Sequence, residues 1–291
     1  MKTPFFTGAC TALVTPFTDG KVNFPMLEIL IKRQIDAGIH ALVLCGTTGE
    51  APTLSDSEKI AIFSHAKAFA GKSCRIIAGT GSNDTAHAVA LSQSAEAAGA
   101  DGVLVVTPYY NKATPQGLYA HYQAVAAAVH IPVIVYNVPS RTGVDIPVEV
   151  YRKLSRIPNI AGVKEATRDM AKILKIKAAC PADFALWSGN DDMTVPILSI
   201  GGAGVISVLS NIAPTETEAM AQAALAGDFD TAAALQIGFS PLIDLLFCEV
   251  NPIAVKAAMS LLGYDCGQCR LPLTPMESAH LENLKNLLYF V

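Results

Sequence analysis

Short apolar runs recur along the chain, at residues 9–17, 41–46, 75–79, 102–107, 133–137, 161–164, 184–188 and 204–208. Each is bounded by glycine, proline or polar turn residues. Continuous rather than alternating apolar sequence is what a parallel strand covered on both faces requires. The stretches between the runs have helical spacing. Ser55 begins S-D-S-E, a capping box ahead of a periodic stretch. Asp84-Thr85 opens an alanine-rich helix that ends at Gly99, and Pro115 suits the first turn of another. Strand–helix alternation implies right-handed βαβ units and a parallel sheet.

Eight such units predict an α/β fold of the (β/α)8 TIM-barrel type. Beyond the eighth run, Ala- and Leu-rich stretches at 215–226, 229–247, 252–262 and 275–288 read as helices. The first is the expected last helix of the barrel. The others predict a C-terminal helical extension. The organisation is therefore a barrel carrying the active site over 1–226 and an extension over 227–291, without a low-complexity linker.

A barrel of this kind gathers its chemistry at the C-terminal ends of its strands. The polar residues there are Gly46-Thr47-Thr48-Gly49-Glu50, Thr107-Pro108-Tyr109-Tyr110-Asn111, Tyr136 through Gly143, Lys164-Glu165 and Ser188-Gly189-Asn190-Asp191. Lys164 is the informative one, because it interrupts the buried run 160–164. Burial disfavours an ammonium, and a neutral amine is the form that attacks a carbonyl to give a Schiff base. The competing reading is an ion pair with Glu165, but neighbours in a strand face opposite ways. Thr47 and Thr48 lie in a glycine-flanked turn, which either holds a carboxylate on backbone N–H groups or is ordinary turn chemistry. Tyr110 and Tyr136 can relay protons or simply pack. Arg141 can grip a carboxylate with its planar fork or lie solvated at the surface.

Charge and composition narrow the classes. The chain is 51% hydrophobic, with a formal charge of −4 and no basic stripe, which argues against nucleic acid. Residues 193–215 carry no charge and are long enough to span a bilayer. Pro196, Gly201, Gly202, Gly204 and Pro214 break them into a short helix, a turn, a strand and a loop, so no membrane span is expected. The N-terminus lacks the plan of a signal peptide and reads as mature cytosolic sequence. The seven cysteines include one C-x-x-C, Cys266 to Cys269, read as two unpaired thiols in a surface loop. The six histidines form no H-x-x-x-H pair, so no metal is implied.

Taken in order, GTTGE at 46–50, TPYYNK at 107–112, YNVPSRTG at 136–143, GVKEAT at 162–167, SGND at 188–191 and GVISV at 204–208 resemble the dihydrodipicolinate synthase family of pyruvate-dependent class I aldolases. The resemblance runs along nearly the whole chain. It implies that Lys164 forms an imine with pyruvate and that Thr47 and Thr48 hold the pyruvate carboxylate. Tyr136, Thr47 and Tyr110 would make a proton relay, with Tyr110 reaching in from a neighbouring subunit. Arg141 would bind the carboxylate of L-aspartate 4-semialdehyde, and Gly189 and Ile206 would line the substrate pocket. It further implies a cytoplasmic homotetramer, a dimer of dimers, acting in diaminopimelate and lysine synthesis with neither metal nor organic cofactor.

Inhibited members of that family bind free lysine at a dimer interface. The matching positions here are Ala51, Asp56, Lys59, Asn83, His87 and Tyr109. His87 stands where a glutamate would pair with the ligand's ammonium, and Lys59 adds a cation, so weak or absent inhibition is expected. One departure from the family pattern is Arg168, after KEAT, which predicts a changed loop. Two other readings remain: a sugar-acid aldolase such as N-acetylneuraminate lyase, using the same lysine, and a non-catalytic sensor or scaffold built on the barrel.

Overall fold

The computed structural model describes residues 3–288, and in it eight parallel strands close into a barrel. They are β1 (Gly8–Ala12), β2 (Ala41–Leu44), β3 (Arg75–Gly79), β4 (Gly102–Val106), β5 (Val133–Asn137), β6 (Ile160–Glu165), β7 (Ala185–Ser188) and β8 (Gly204–Ser207). Each pairs with the next in sequence, and β8 closes on β1 with Thr11 opposite Ser207. Helices follow the strands in order: α1 (Phe24–Asp36), α2 (Asp56–Ala70), α3 (Thr85–Ala97), α4 (Pro115–Ala128), α5 (Val148–Leu154), α6 (Met170–Ala179), α7 (Thr194–Ser199) and α8 (Pro214–Leu225). Three more, α9 (Phe229–Leu246), α10 (Ile253–Leu261) and α11 (Ser278–Leu288), form the extension. Residues 1–2 and 289–291, at the ends of the two expected segments, lie outside the described residues.

The continuous apolar runs have a physical cause in two cores. Cys10, Ala12, Val43, Ile77, Leu104, Ile134, Tyr136, Trp187 and Ile206 point into the barrel. Their strand neighbours Leu42, Ile76, Val103, Val105, Val135, Val163, Leu186 and Val205 face the helices. Neither face meets water, so neither alternates. Trp187 fills the lower barrel, stacked on Phe6 with ring centroids 4.7 Å apart, and its Nε1 donates to the Phe6 carbonyl at 3.2 Å.

Helix starts follow the capping residues. The Ser55 hydroxyl accepts from the Glu58 N–H, and the Glu58 carboxylate accepts from the Ser55 N–H. The Asp84 carboxylate accepts from the Ala86 N–H at the start of α3, and Thr114 caps α4 ahead of Pro115.

Two expectations are corrected. The first strand ends at Ala12 rather than 17. The Val14 N–H donates to Asn211 Oδ1 and Thr15 Oγ1 donates to the Gly49 carbonyl, so side chains and turns take over from the ladder. Phe17–Thr18 instead pairs with Lys21–Val22 in a small hairpin that the pattern did not reveal. Cys266 is fully buried rather than on a surface loop, because its carbonyl accepts from Phe17 N–H beneath that hairpin. The uncharged segment 193–215 holds α7, a turn, β8 and a short 3-10 turn at Leu209–Asn211. Among the described residues, no helix is long and apolar enough to cross a membrane.

The extension is tied to the barrel by charge. Lys256 on α10 donates to Glu50 Oε1 at 2.9 Å and to the Thr15 and Gln268 carbonyls, with the two side chains only 2% and 1% exposed. The Arg270 N–H donates to Glu50 Oε2 at 2.8 Å, and its guanidinium pairs with Glu58, whose carboxyl it holds down at about 2. Glu50 itself sits in left-handed backbone, at φ 57°.

Removing one partner of a buried ion pair strands the other, at a cost of about 3–5 kcal/mol. Lys256→Met is expected to lower the unfolding free energy in urea by that amount. The double variant Glu50→Gln/Lys256→Met should lose less than the single one. Equal stability of Lys256→Met and the parent chain would show that the pair carries no such weight.

Candidate active site

Lys164 enters the barrel interior from the upper end of β6, opposite Tyr136 of β5 in the strand register. Its side chain is nearly buried, at 5% exposure, and Nζ lies 4.4 Å from the centre of the Tyr136 ring. Among the described residues no carboxylate pairs with it. Glu165 points the other way. Its oxygens accept from Asn137 Nδ2 at 2.8 Å, from the Tyr151 hydroxyl at 2.7 Å and from Thr167 N–H at 2.9 Å. Burial still pushes the Glu165 carboxyl above its ordinary range. The ion-pair reading of Lys164 therefore fails on direction, as strand alternation requires.

The floor under Lys164 depends on Gly162. A Cβ there would lie 2.1 Å from the Ala185 carbonyl and 2.8 Å from the Trp187 ring. Gly189 allows a similar approach at the ends of β6 and β7, since a Cβ would meet that of Ala166 at 2.8 Å. Its N–H donates to the Glu165 carbonyl at 2.7 Å.

Above Lys164 a cavity of about 410 Å³ opens at the strand ends. Its walls include Thr47, Thr48, Tyr136, Arg141, Lys164 and Gly189. Six of the sequence-predicted residues thus converge from four separate strand ends onto one space. Ile206 lies deeper, buried in the barrel interior, and the wall residue of that strand is Val208. Asp191 fixes this end of β8. Its Oδ2 accepts from the Val208 and Leu209 N–H groups at 3.0 Å. Burial raises its carboxyl, against those hydrogen bonds and the positive charge of Lys164.

Tyr110 is not brought to the cavity within one chain. It is 89% exposed and held in left-handed backbone, at φ 72°.

A second cavity, of about 680 Å³, shares Thr47, Tyr136 and Arg141 with the first and extends to Ala51, Asp56, Lys59, His87 and Tyr109. Asp56 is already engaged there, with His87 Nε2 at 2.8 Å and Lys59 Nζ at 3.7 Å from its oxygens. Asn83 lies off this wall, its carbonyl accepting from Asn111 Nδ2.

Sequence reasoning missed Asn251. Its Nδ2 donates to Thr48 Oγ1 at 2.9 Å, and its carbonyl accepts from Arg141 Nη2 at 3.3 Å. It therefore links the threonine turn to the arginine from the far side of the cavity. Its only local signal is an Asn-Pro step, which reads as a turn. Arg168 stands on the rim, paired with Asp192 at 2.9 Å, so it joins the loops after β6 and β7.

Residues 5–290 match the model of the dihydrodipicolinate synthetase family. A 4-hydroxy-tetrahydrodipicolinate synthase of Acetivibrio thermocellus is 48% identical over 99% of this chain and 98% of its own. The crystal structure of dihydrodipicolinate synthase from Aquifex aeolicus superposes with a TM-score of 0.96 at 43% identity, covering 98% of each chain. That of the enzyme from Cyanidioschyzon merolae with lysine bound gives 0.96 at 39% identity, covering 99% of this chain and 98% of that one.

The fit beneath Lys164 leaves no room for a methyl group. Gly162→Ala is expected to cost about 1–3 kcal/mol through overpacking and to displace the lysine, reducing activity more than stability accounts for. An alanine variant with unchanged urea midpoint and turnover would contradict that packing.

Proposed function

The chain belongs to the dihydrodipicolinate synthetase family, and on that premise we propose how its own residues condense pyruvate with L-aspartate 4-semialdehyde to 4-hydroxy-tetrahydrodipicolinate, in the diaminopimelate and lysine route. The observation that carries the reading is the Lys164 amine, unpaired with any carboxylate among the described residues, beside the Tyr136 ring in a cavity that also presents Thr48 and Arg141. Lys164 adds to the keto carbon of pyruvate, and loss of water leaves an iminium. The hydroxyls and N–H groups of Thr47 and Thr48 hold the carboxylate, with Asn251 fixing the Thr48 hydroxyl. The iminium draws electrons from the adjacent methyl group, which loses a proton and becomes an enamine. Its carbon attacks the aldehyde, and the Tyr136 hydroxyl supplies the proton to the new alkoxide. The amino group of the second substrate then attacks the imine carbon, expels Lys164 and closes the ring.

Arg141 takes the carboxylate of the semialdehyde. Gly189 and the backbone around Ile206 shape the imine pocket. The condensation draws on the chain's own residues, with no metal or organic cofactor. We read 1–226 as the catalytic barrel and 227–291 as the extension that braces it. Cytoplasmic placement and a dimer-of-dimers tetramer complete the proposal. The exposed, backbone-strained Tyr110 supports a role across a subunit contact, where it would join the relay with Tyr136 and Thr47.

Substrate choice tests the reading. With pyruvate, the protein should turn over L-aspartate 4-semialdehyde and leave N-acetylmannosamine unused; the reverse preference would favour a sugar-acid aldolase. A charge-assisted hydrogen bond is worth about 1.5–3 kcal/mol. Arg141→Ala should therefore cut kcat/KM for the semialdehyde at least tenfold while pyruvate remains trappable by borohydride. Loss of trapping with semialdehyde use intact would reverse the roles.

Mixed oligomers test Tyr110. Subunits carrying Tyr110→Phe combined with subunits carrying Lys164→Ala should regain activity that neither parent has. Verified hybrids without recovery would contradict a shared site.

The second cavity is proposed to respond weakly to lysine. Asp56 is occupied by His87 and Lys59, and Lys59 would repel an incoming ammonium. Initial rates at saturating pyruvate should be unchanged by millimolar L-lysine. Strong inhibition below a millimolar would show that the site binds lysine despite these residues.

A further inference from the structure

Cys248 and Glu249 lie in the turn after α9, and His280 lies in the first turn of α11, 31 residues further along the chain than Glu249. The fold nevertheless brings one ligand atom from each within 4.8 Å of the others. His280 Nδ1 is 2.8 Å from Glu249 Oε1, which also accepts from the Glu277 N–H at 3.0 Å. Those contacts account for one carboxylate oxygen as a cap for α11. They leave the other oxygen and the exposed Cys248 thiol without a role. Among the described residues, no lysine or arginine ion-pairs with Glu249 or Glu277.

We propose that Cys248, Glu249 and His280 form a binding site for a zinc-class divalent cation. A sulfur, an imidazole nitrogen and a carboxylate oxygen are the donor set of a borderline-soft ion and not of magnesium or calcium. Tetrahedral zinc places its ligands at about 2.0–2.3 Å, so the widest donor separation closes by roughly an ångström while the His280–Glu249 hydrogen bond opens. A fourth position remains for water. The field favours a cation. Cys248 and Glu249 directly follow the carbonyl end of α9, an 18-residue helix.

The ion takes no part in the condensation. It staples α11 to the turn between α9 and α10, which also carries Phe247 and Asn251 on the wall of the reaction cavity. Sequence spacing alone could not show this site, because its ligands are not arranged in a local motif.

Cobalt(II) added to chelator-treated, reduced full-length protein is the test. One equivalent per chain should give a thiolate-to-cobalt band in the near ultraviolet and the visible bands of tetrahedral cobalt. Zinc should abolish both. Cys248→Ser, an exposed position, should remove the thiolate band while the circular dichroism spectrum is kept. His280→Gln and Glu249→Gln should each weaken cobalt affinity at least tenfold, and Cys269→Ser should leave it unchanged. No thiolate band in the parent chain, the same band in Cys248→Ser, or affinity indifferent to both His280→Gln and Glu249→Gln would overturn the proposal.

Discussion

A lysine with no carboxylate partner among the described residues, set at the inner face of a closed barrel, is the constraint around which the molecule is arranged. A buried cation is costly unless paired, and Lys164 has an aromatic ring beside it instead. The surrounding features serve that placement. Gly162 and Trp187 fix the floor, and strand alternation turns Glu165 outward into its own hydrogen-bonded pocket. Asp191 holds the end of β8 through the Val208 and Leu209 N–H groups. Such an amine serves covalent chemistry with a carbonyl, and the groups that open above it suit a substrate bearing a carboxylate.

The C-terminal extension contributes to that cavity as well as to the fold. Glu50 ends the turn that carries Thr47 and Thr48, and it is gripped by Lys256 from α10 and the Arg270 backbone. Asn251, at the entry to α10, reaches Thr48 and Arg141 together. The two carboxylate grips proposed for the two substrates are therefore referenced to one residue of the extension. Preorganised donors of this sort avoid reorganisation during the reaction.

Much of the barrel was legible because its physics is local. Buried parallel strands write continuous apolar runs, and capping boxes such as that at Ser55 mark helix starts. Lys164 stood out because a charged residue inside such a run violates the pattern. Other features were not legible for equally physical reasons. The first strand was read too long because Leu13 and Val14 are as apolar as the strand itself, and only the tertiary bonds to Asn211 and Gly49 end it. The burial of Cys266 depends on a hairpin of two-residue strands that leaves almost no periodic signal. Asn251 and Lys256 act over some 200 residues of separation, and nothing in their neighbourhood distinguishes them from turn and helix-surface residues. Tyr110 marks another limit: its place in a reaction lies with a second chain, and spacing within one sequence cannot bring it there.

The most direct measurement of the central claim is peptide mapping by mass after incubation with pyruvate and borohydride. Reduction of a pyruvate imine adds one fixed mass to one lysine. The account predicts a single adduct per chain, on the peptide containing Lys164, and none on Lys256 or any other lysine. An adduct elsewhere with Lys164 unmodified, or no adduct in protein that turns over its substrates, would contradict it.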